Sequence, residues 1–113
     1  MSINNPALQG YNFLEDMATD SYFPGFLVDK GKQILIRLCE AIEKQKPLRD
    51  EEIYKLTHAA TEEFNKLAEE FEANDSEIET MARDAIAGNF AFIVRAYGFE
   101  NLDLEEVIAP REW

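Results

Sequence analysis

Cysteine, histidine and tryptophan each occur once in the chain, as Cys39, His58 and Trp113. A lone cysteine excludes an internal disulfide and points to a reducing, cytoplasmic setting. One histidine without a cysteine pair leaves no zinc-ligand pattern, so neither a metal nor a cofactor is expected. With only 5 glycines and 4 prolines there is no low-complexity tract. The glycine-rich phosphate loop, the Walker lysine and the dinucleotide fingerprint are missing as well. No apolar run approaches the roughly 20 residues of a membrane-spanning helix. The opening residues, Met1 to Gly10, lack the basic and apolar regions of a signal peptide. Positive charge is also scarce: 11 Lys and Arg face 23 Asp and Glu, a formal net charge of −12. That balance argues against nucleic-acid backbones and anionic membranes as partners, and is compatible with a basic protein.

What is present reads as helix. In 113 residues of which 46% are hydrophobic, one domain over 1–113 has enough apolar side chain for a single core. No segment sustains the period-two alternation of a strand. Residues 1–10 are expected to form an extended or frayed arm. Asn12 and Glu15 have cap-and-N3 spacing, with Phe13, Leu14 and Met17 filling a short helix after them.

The cleanest amphipathic pattern runs from Pro24 to Gln45. Leu27, Val28, Gly31, Ile34, Leu35, Leu38, Cys39 and Ile42 share one face, and charged residues, Glu43 among them, share the other. Gly31 lies mid-stripe, where a bare Cα lets another helix cross closely. Ile36 falls off the stripe. A second long helix is expected over Glu51–Glu72, with Asp50 as its cap. Ile53, Leu56, Ala60, Phe64, Leu67 and Phe71 form its apolar stripe, while Tyr54, His58, Glu62, Asn65 and Glu69 flank or oppose it. Glu62 stands four residues before Lys66, the favourable order for an ion pair on a helix.

Ser76–Gly98 is expected to be the central helix. Ser76 and Glu79 have capping-box spacing. Ile78, Met81, Ala82, Ala85, Ile86, Phe92, Ile93 and Ala96 form one stripe, and Phe90, Val94 and Tyr97 a second on another face. A helix apolar on more than one face is normally buried. Gly98 suits the helix stop. The Ala87-Gly88-Asn89 stretch permits either one kinked helix or two abutting ones, with Asn89 capping the second. Asp103 and Glu106 repeat the capping-box spacing before a last short helix of Leu104, Val107 and Ile108, and Trp113 is either a lid on the core or an exposed platform. The expected architecture is therefore all-α: a small bundle with two long amphipathic helices packed on a central buried helix and short helices at both ends.

Candidate chemistry is sparse, and no catalytic residue is assigned. The residue three before His58 is Lys55, so the Glu-x-x-His pattern of di-iron bundles is absent. Cys39 lies on an apolar stripe, where a thiol behaves as a small hydrophobe. The acids are concentrated from Glu62 to Asp84: Glu62, Glu63, Glu69, Glu70, Glu72, Asp75, Glu77, Glu79 and Asp84, against Lys66 and Arg83. Two function classes follow. One is a non-enzymatic protein-binding domain that engages a basic protein through this acidic helical face. The other is a small-ligand protein or enzyme with an acid–base cluster of His58, Glu62 and Tyr54. Together His58, Glu62, Tyr54 and Glu69 make up the candidate functional surface. A homodimer burying Ile36 or the N-terminal aromatics Tyr11, Phe13, Tyr22, Phe23 and Phe26 is a third expectation.

Four segments carry a resemblance: Tyr22-Phe23-Pro24 with Phe26 to Lys30, Leu56 to Glu62, Ser76 to Thr80, and Ala96 to Phe99 with Ile108 to Trp113. In these the chain resembles a family of small acidic bacterial proteins of unknown function. The resemblance implies a bacterial, single-domain protein, and implies no activity.

Overall fold

The computed structural model describes residues 3–113. Met1 and Ser2, the start of the arm expected over 1–10, lie outside the described residues. The helices in chain order are α1 (Pro6–Gln9), α2 (Glu15–Ala18), α3 (Gly25–Gln45), α4 (Asp50–Ala73), α5 (Thr80–Ala96) and α6 (Leu104–Val107). Strands are absent among the described residues, and the fold is a small all-α bundle.

The long helices α3 and α4 make the most extensive helix pair. Their apolar stripes supply much of the core, through Leu27, Ile34, Leu35, Leu38 and Ile42 from α3 and Ile53, Phe64, Leu67 and Phe71 from α4. Two ion pairs record their register: Lys30 with Glu70 at 2.5 Å and Arg37 with Glu63 at 2.6 Å. Position falls along one helix as it rises along the other, so the pair is antiparallel. Three positions on α4 differ from the expected stripe. Leu56 is half-buried, while Thr57 and Thr61 are fully buried. Their hydroxyls are satisfied within the helix, Thr57 donating to the Tyr54 carbonyl and Thr61 to the Thr57 carbonyl. A threonine that bonds one turn back hides its polar atom and presents a methyl to the core.

Helix α5 lies on this pair and touches α1, α2, α3 and α6. Its Phe90 meets Phe64 of α4 edge-on, with centroids 5.8 Å apart. Gly88 does not break it; α5 is one helix. Asn89 is no cap but a bracket inside it, donating to the Ala85 carbonyl and accepting from the Leu14 N–H at 3.2 Å. Leu14 takes a left-handed backbone (φ 54°) at the start of α2, a conformation disfavoured for a leucine. The Asn89 bond and the burial of the Leu14 side chain hold it there. Asn12 accordingly does not cap α2.

The start of α5 also differs from expectation. Ser76 is buried but forms no capping box; the helix begins at Thr80 with Glu79 at the N-cap position. The Ser76 N–H is already given to the Phe71 carbonyl at 2.8 Å, and the Asp75 N–H to Glu72, with Asp75 left-handed at φ 58°. This is a Schellman closure of α4. The same motif closes α5, with Gly98 (φ 93°) bonding Arg95 and Phe99 bonding Val94. Met81 and Phe92, expected on the buried stripe, are exposed. Phe92 is partly covered by Tyr11, stacked on it at 4.3 Å. Asp50, expected as the cap of α4, is its first residue. The Glu52 carboxylate instead reaches back to the N–H groups of Leu48 and Arg49.

The arm expected over 1–10 is structured where it is described. Asn5 caps α1 by accepting from the Ala7 N–H, and Pro6 follows it in the first turn, a favoured place for proline.

Gly31 is where the elements approach most closely. A Cβ there would lie 2.8 Å from Leu14 Cδ1 and 3.3 Å from Phe64 Cε1. Alanine gains about 1 kcal/mol over glycine in helix propensity, but the buried Leu14 side chain must shift within the packed core to admit the new methyl. Gly31→Ala is expected to destabilise by about 1 kcal/mol net, read from the urea midpoint. A stabilised variant would show that the Leu14 contact is soft.

Candidate functional site

The His58 ring stacks on Tyr54 one turn earlier, with centroids 5.8 Å apart and planes 18° from parallel. The half-buried imidazole lies 2.6 Å from the Glu106 backbone carbonyl through Nε2. A carbonyl only accepts, so Nε2 carries the proton. About two turns further along the same side of α4, Asn65 does related work. Its amide donates to the Pro110 carbonyl at 3.0 Å and accepts from the Glu112 N–H at 2.8 Å. His58 thus pins α6, and Asn65 the segment that follows it, against α4. Trp113 then closes over the core as a buried lid, edge-on to Phe64 at 6.2 Å, with the Arg111 guanidinium over its ring.

Tyr54 and His58 border a shallow, open depression of about 700 Å³, lined also by Arg49, Asp50, Glu51 and Lys55. Partial burial raises the Tyr54 pKa, and the nearby carboxylates of Asp50, Glu106 and Asp103 add to the effect. Glu62 and Glu69 lie outside this depression, exposed on α4. The structure therefore places Tyr54 and His58 at the depression and Glu62 and Glu69 outside it. Among the described residues, no group of three or more His, Cys, Asp or Glu is placed to hold a metal ion. Burial pushes the Cys39 thiol up to about 12, with the Glu43 charge adding to it, so it is not a nucleophile at neutral pH.

The acid-rich region separates into two sets. Glu63 and Glu70 are spent on Arg37 and Lys30 of α3. Glu62, Glu69, Glu72, Asp75, Glu77, Glu79 and Asp84 are exposed, and among the described residues none of them is in an ion pair, including Glu62 with Lys66.

A polar knot that periodicity did not mark lies at the far end of α3. The Glu43 carboxylate accepts from the Asn4 N–H at 2.8 Å, the Asn5 N–H at 3.1 Å and the Tyr97 hydroxyl at 2.5 Å. The Asn5 side chain adds a bond to the Ala96 carbonyl at 2.7 Å. Burial and the Glu43 hydrogen bond raise the Tyr97 pKa. The only signal in the sequence was Tyr97 on the second apolar stripe, which asks for a partner to its hydroxyl.

No helix among the described residues is long and apolar enough to cross a membrane. A family model described as a family of unknown function, DUF5713, matches residues 7–113. No curated protein matches the chain, and no solved structure does.

Proposed function

The chain belongs to this family of unknown function, and we propose that it acts as a non-enzymatic binding domain whose acidic helical face engages a basic protein. The observation that carries this reading is the surplus of free carboxylates. After α3 has neutralised Glu63 and Glu70, the exposed acids from Glu62 on α4 through the α4–α5 turn to Asp84 remain without cationic partners. A net charge of −12 with so much of it on one stretch steers a cationic partner and speeds its encounter. The lone, buried Cys39 fits a reducing cytoplasm, and the resemblance fits a bacterial one.

The alternative, an acid–base cluster of His58, Glu62 and Tyr54, has less support. Glu62 does not border the depression beside His58, and Nε2 of His58 is occupied by the Glu106 carbonyl.

The test compares three proteins as baits in lysate at low and at high salt: the parent chain, Glu62→Gln/Glu69→Gln/Glu72→Gln, and a control that loses the same number of charges elsewhere, Glu15→Gln/Asp16→Asn/Asp20→Asn. A basic protein held by the parent and the control, weakened about tenfold or more by the α4 triple variant, and released by salt is the expected result. Capture that survives the triple variant and high salt would overturn the charge mechanism.

A further inference from the structure

We propose that the groove between α3 and α4 is a self-association face whose occupant is a second copy of this chain. The groove has a volume of about 480 Å³. Its floor includes Ile34 and Leu67, and at one end stands Phe26, whose ring is 55% exposed. Phe26 is among the most exposed large apolar side chains in the described molecule, and the core does not use it.

The charges around the groove identify the occupant. Asp29, Lys30 and Arg37 contribute from α3, and Glu63, Lys66 and Glu70 from α4. Acids and bases balance here, in a chain whose net charge is −12. A strongly basic or strongly acidic partner finds no complementary sign on this rim. A second copy does. Lys30–Glu70 and Arg37–Glu63 are already paired within the chain, which leaves Asp29 and Lys66, one charge of each sign, and a two-fold axis lets a second copy set its Lys66 against Asp29 and the reverse. Elsewhere two copies repel each other. The same axis delivers each Phe26 ring to the partner's groove, and a phenylalanine buries roughly 150–250 Å² when it is taken up fully. A standard interface takes about 800 Å² from each partner, about an eighth of the 6566 Å² this chain exposes. A face confined to one helical groove belongs at the weak end of that range, so association is concentration-dependent.

Ile36, the other residue considered for a dimer face, is half-buried beside Ile3, Leu8 and Phe13. The N-terminal segment therefore already occupies its surroundings.

This face is separate from the acidic one, and the two respond to salt with opposite sign. Salt weakens capture of a basic partner. It strengthens self-association, because it screens the repulsion between two chains of like charge. Sedimentation equilibrium over a wide concentration range tests the proposal. The mass is expected to rise from 13.0 kDa toward twice that value, at lower concentration as salt is raised. Phe26→Ser should abolish the rise while leaving the circular dichroism and the melting curve unchanged, since the ring is outside the core. Met81→Ser, which removes an exposed apolar side chain from α5, should leave the rise intact. A mass of one chain at every concentration and salt would overturn the proposal, as would a dimer whose dissociation constant Phe26→Ser does not change.

Discussion

Phe64→Ala is expected to lower the free energy of unfolding by about 3–5 kcal/mol, a large share of the roughly 5–15 kcal/mol typical of a small domain. Phe64 is wholly buried at the centre of the bundle. Its ring meets Phe90 of α5 and Trp113 edge-on, and it lines the crossing at Gly31. Truncation thus opens a cavity where α3, α4, α5 and the C-terminal segment converge. Rigid helices on several sides keep that cavity from collapsing, which puts the cost toward the upper end of the range. Trp113 is the only tryptophan and reports on the same point. Its fluorescence should shift to longer wavelength in the folded variant, before any denaturant is added. Urea titration measures the loss, with Tyr22→Ala as a surface control expected to cost under about 1 kcal/mol. A Phe64→Ala midpoint close to that of the control would mean that the ring is not a point of convergence.

That Phe64 is buried was legible in the sequence because α3 and α4 are long and strongly periodic; that it stands where α3, α4, α5 and the C-terminal segment converge was not. Expected over Pro24–Gln45 and Glu51–Glu72, the two long helices span Gly25–Gln45 and Asp50–Ala73. Gly31 was legible for the same reason, as a gap in an apolar stripe. The junctions were not, because several local motifs compete for the same residues there. Ser76 carries a capping-box pattern, yet its backbone N–H serves the end of the preceding helix. Asn89 has the chemistry of a cap and uses it sideways, on Leu14 of α2. The Tyr54–His58 stack follows from one-turn spacing on a helix. The bond from His58 to Glu106 depends on where α6 docks, which no local pattern encodes. Burial of Thr57 and Thr61 was masked by their hydroxyls, whose partners lie on the same helix. The acid-rich face was visible as composition. Which of its members stay free became visible only once the antiparallel register had assigned Glu63 and Glu70 to α3.

Glu43→Gln is expected to cost about 2–3 kcal/mol at neutral pH and progressively less as the solution is acidified. The carboxylate collects donors from both ends of the chain, the Asn4 and Asn5 N–H groups and the Tyr97 hydroxyl. Hydrogen bonds to a charged group contribute about 1.5–3 kcal/mol each. Here the side chain is half-buried and water replaces part of what is lost, which keeps the total near the value for a single strong bond. Partial burial raises the Glu43 pKa, but the bonds from Tyr97, Asn4 and Asn5 outweigh it, and the net shift is downward. A carboxyl with a depressed folded-state pKa stabilises in full above its unfolded-state pKa. That stabilisation fades as the pH falls through the folded-state value. Glutamine has no such dependence, so the gap between parent and variant should be widest at neutral pH and narrow in acid. Glu52, also lowered, by the N–H groups of Leu48 and Arg49, contributes its own acid sensitivity to both proteins and cancels in the difference. Thermal melts across a pH series measure the gap, and hydrogen exchange over residues 3–9 shows whether the N-terminal segment is what comes loose. A gap independent of pH would assign the loss to packing instead of charge. A gap that narrows in acid, with protection lost at Asn4 and Asn5, would identify Glu43 as the anchor that turns an otherwise marginal single-turn helix into a fixed part of the bundle, since so short a helix does not hold itself in water.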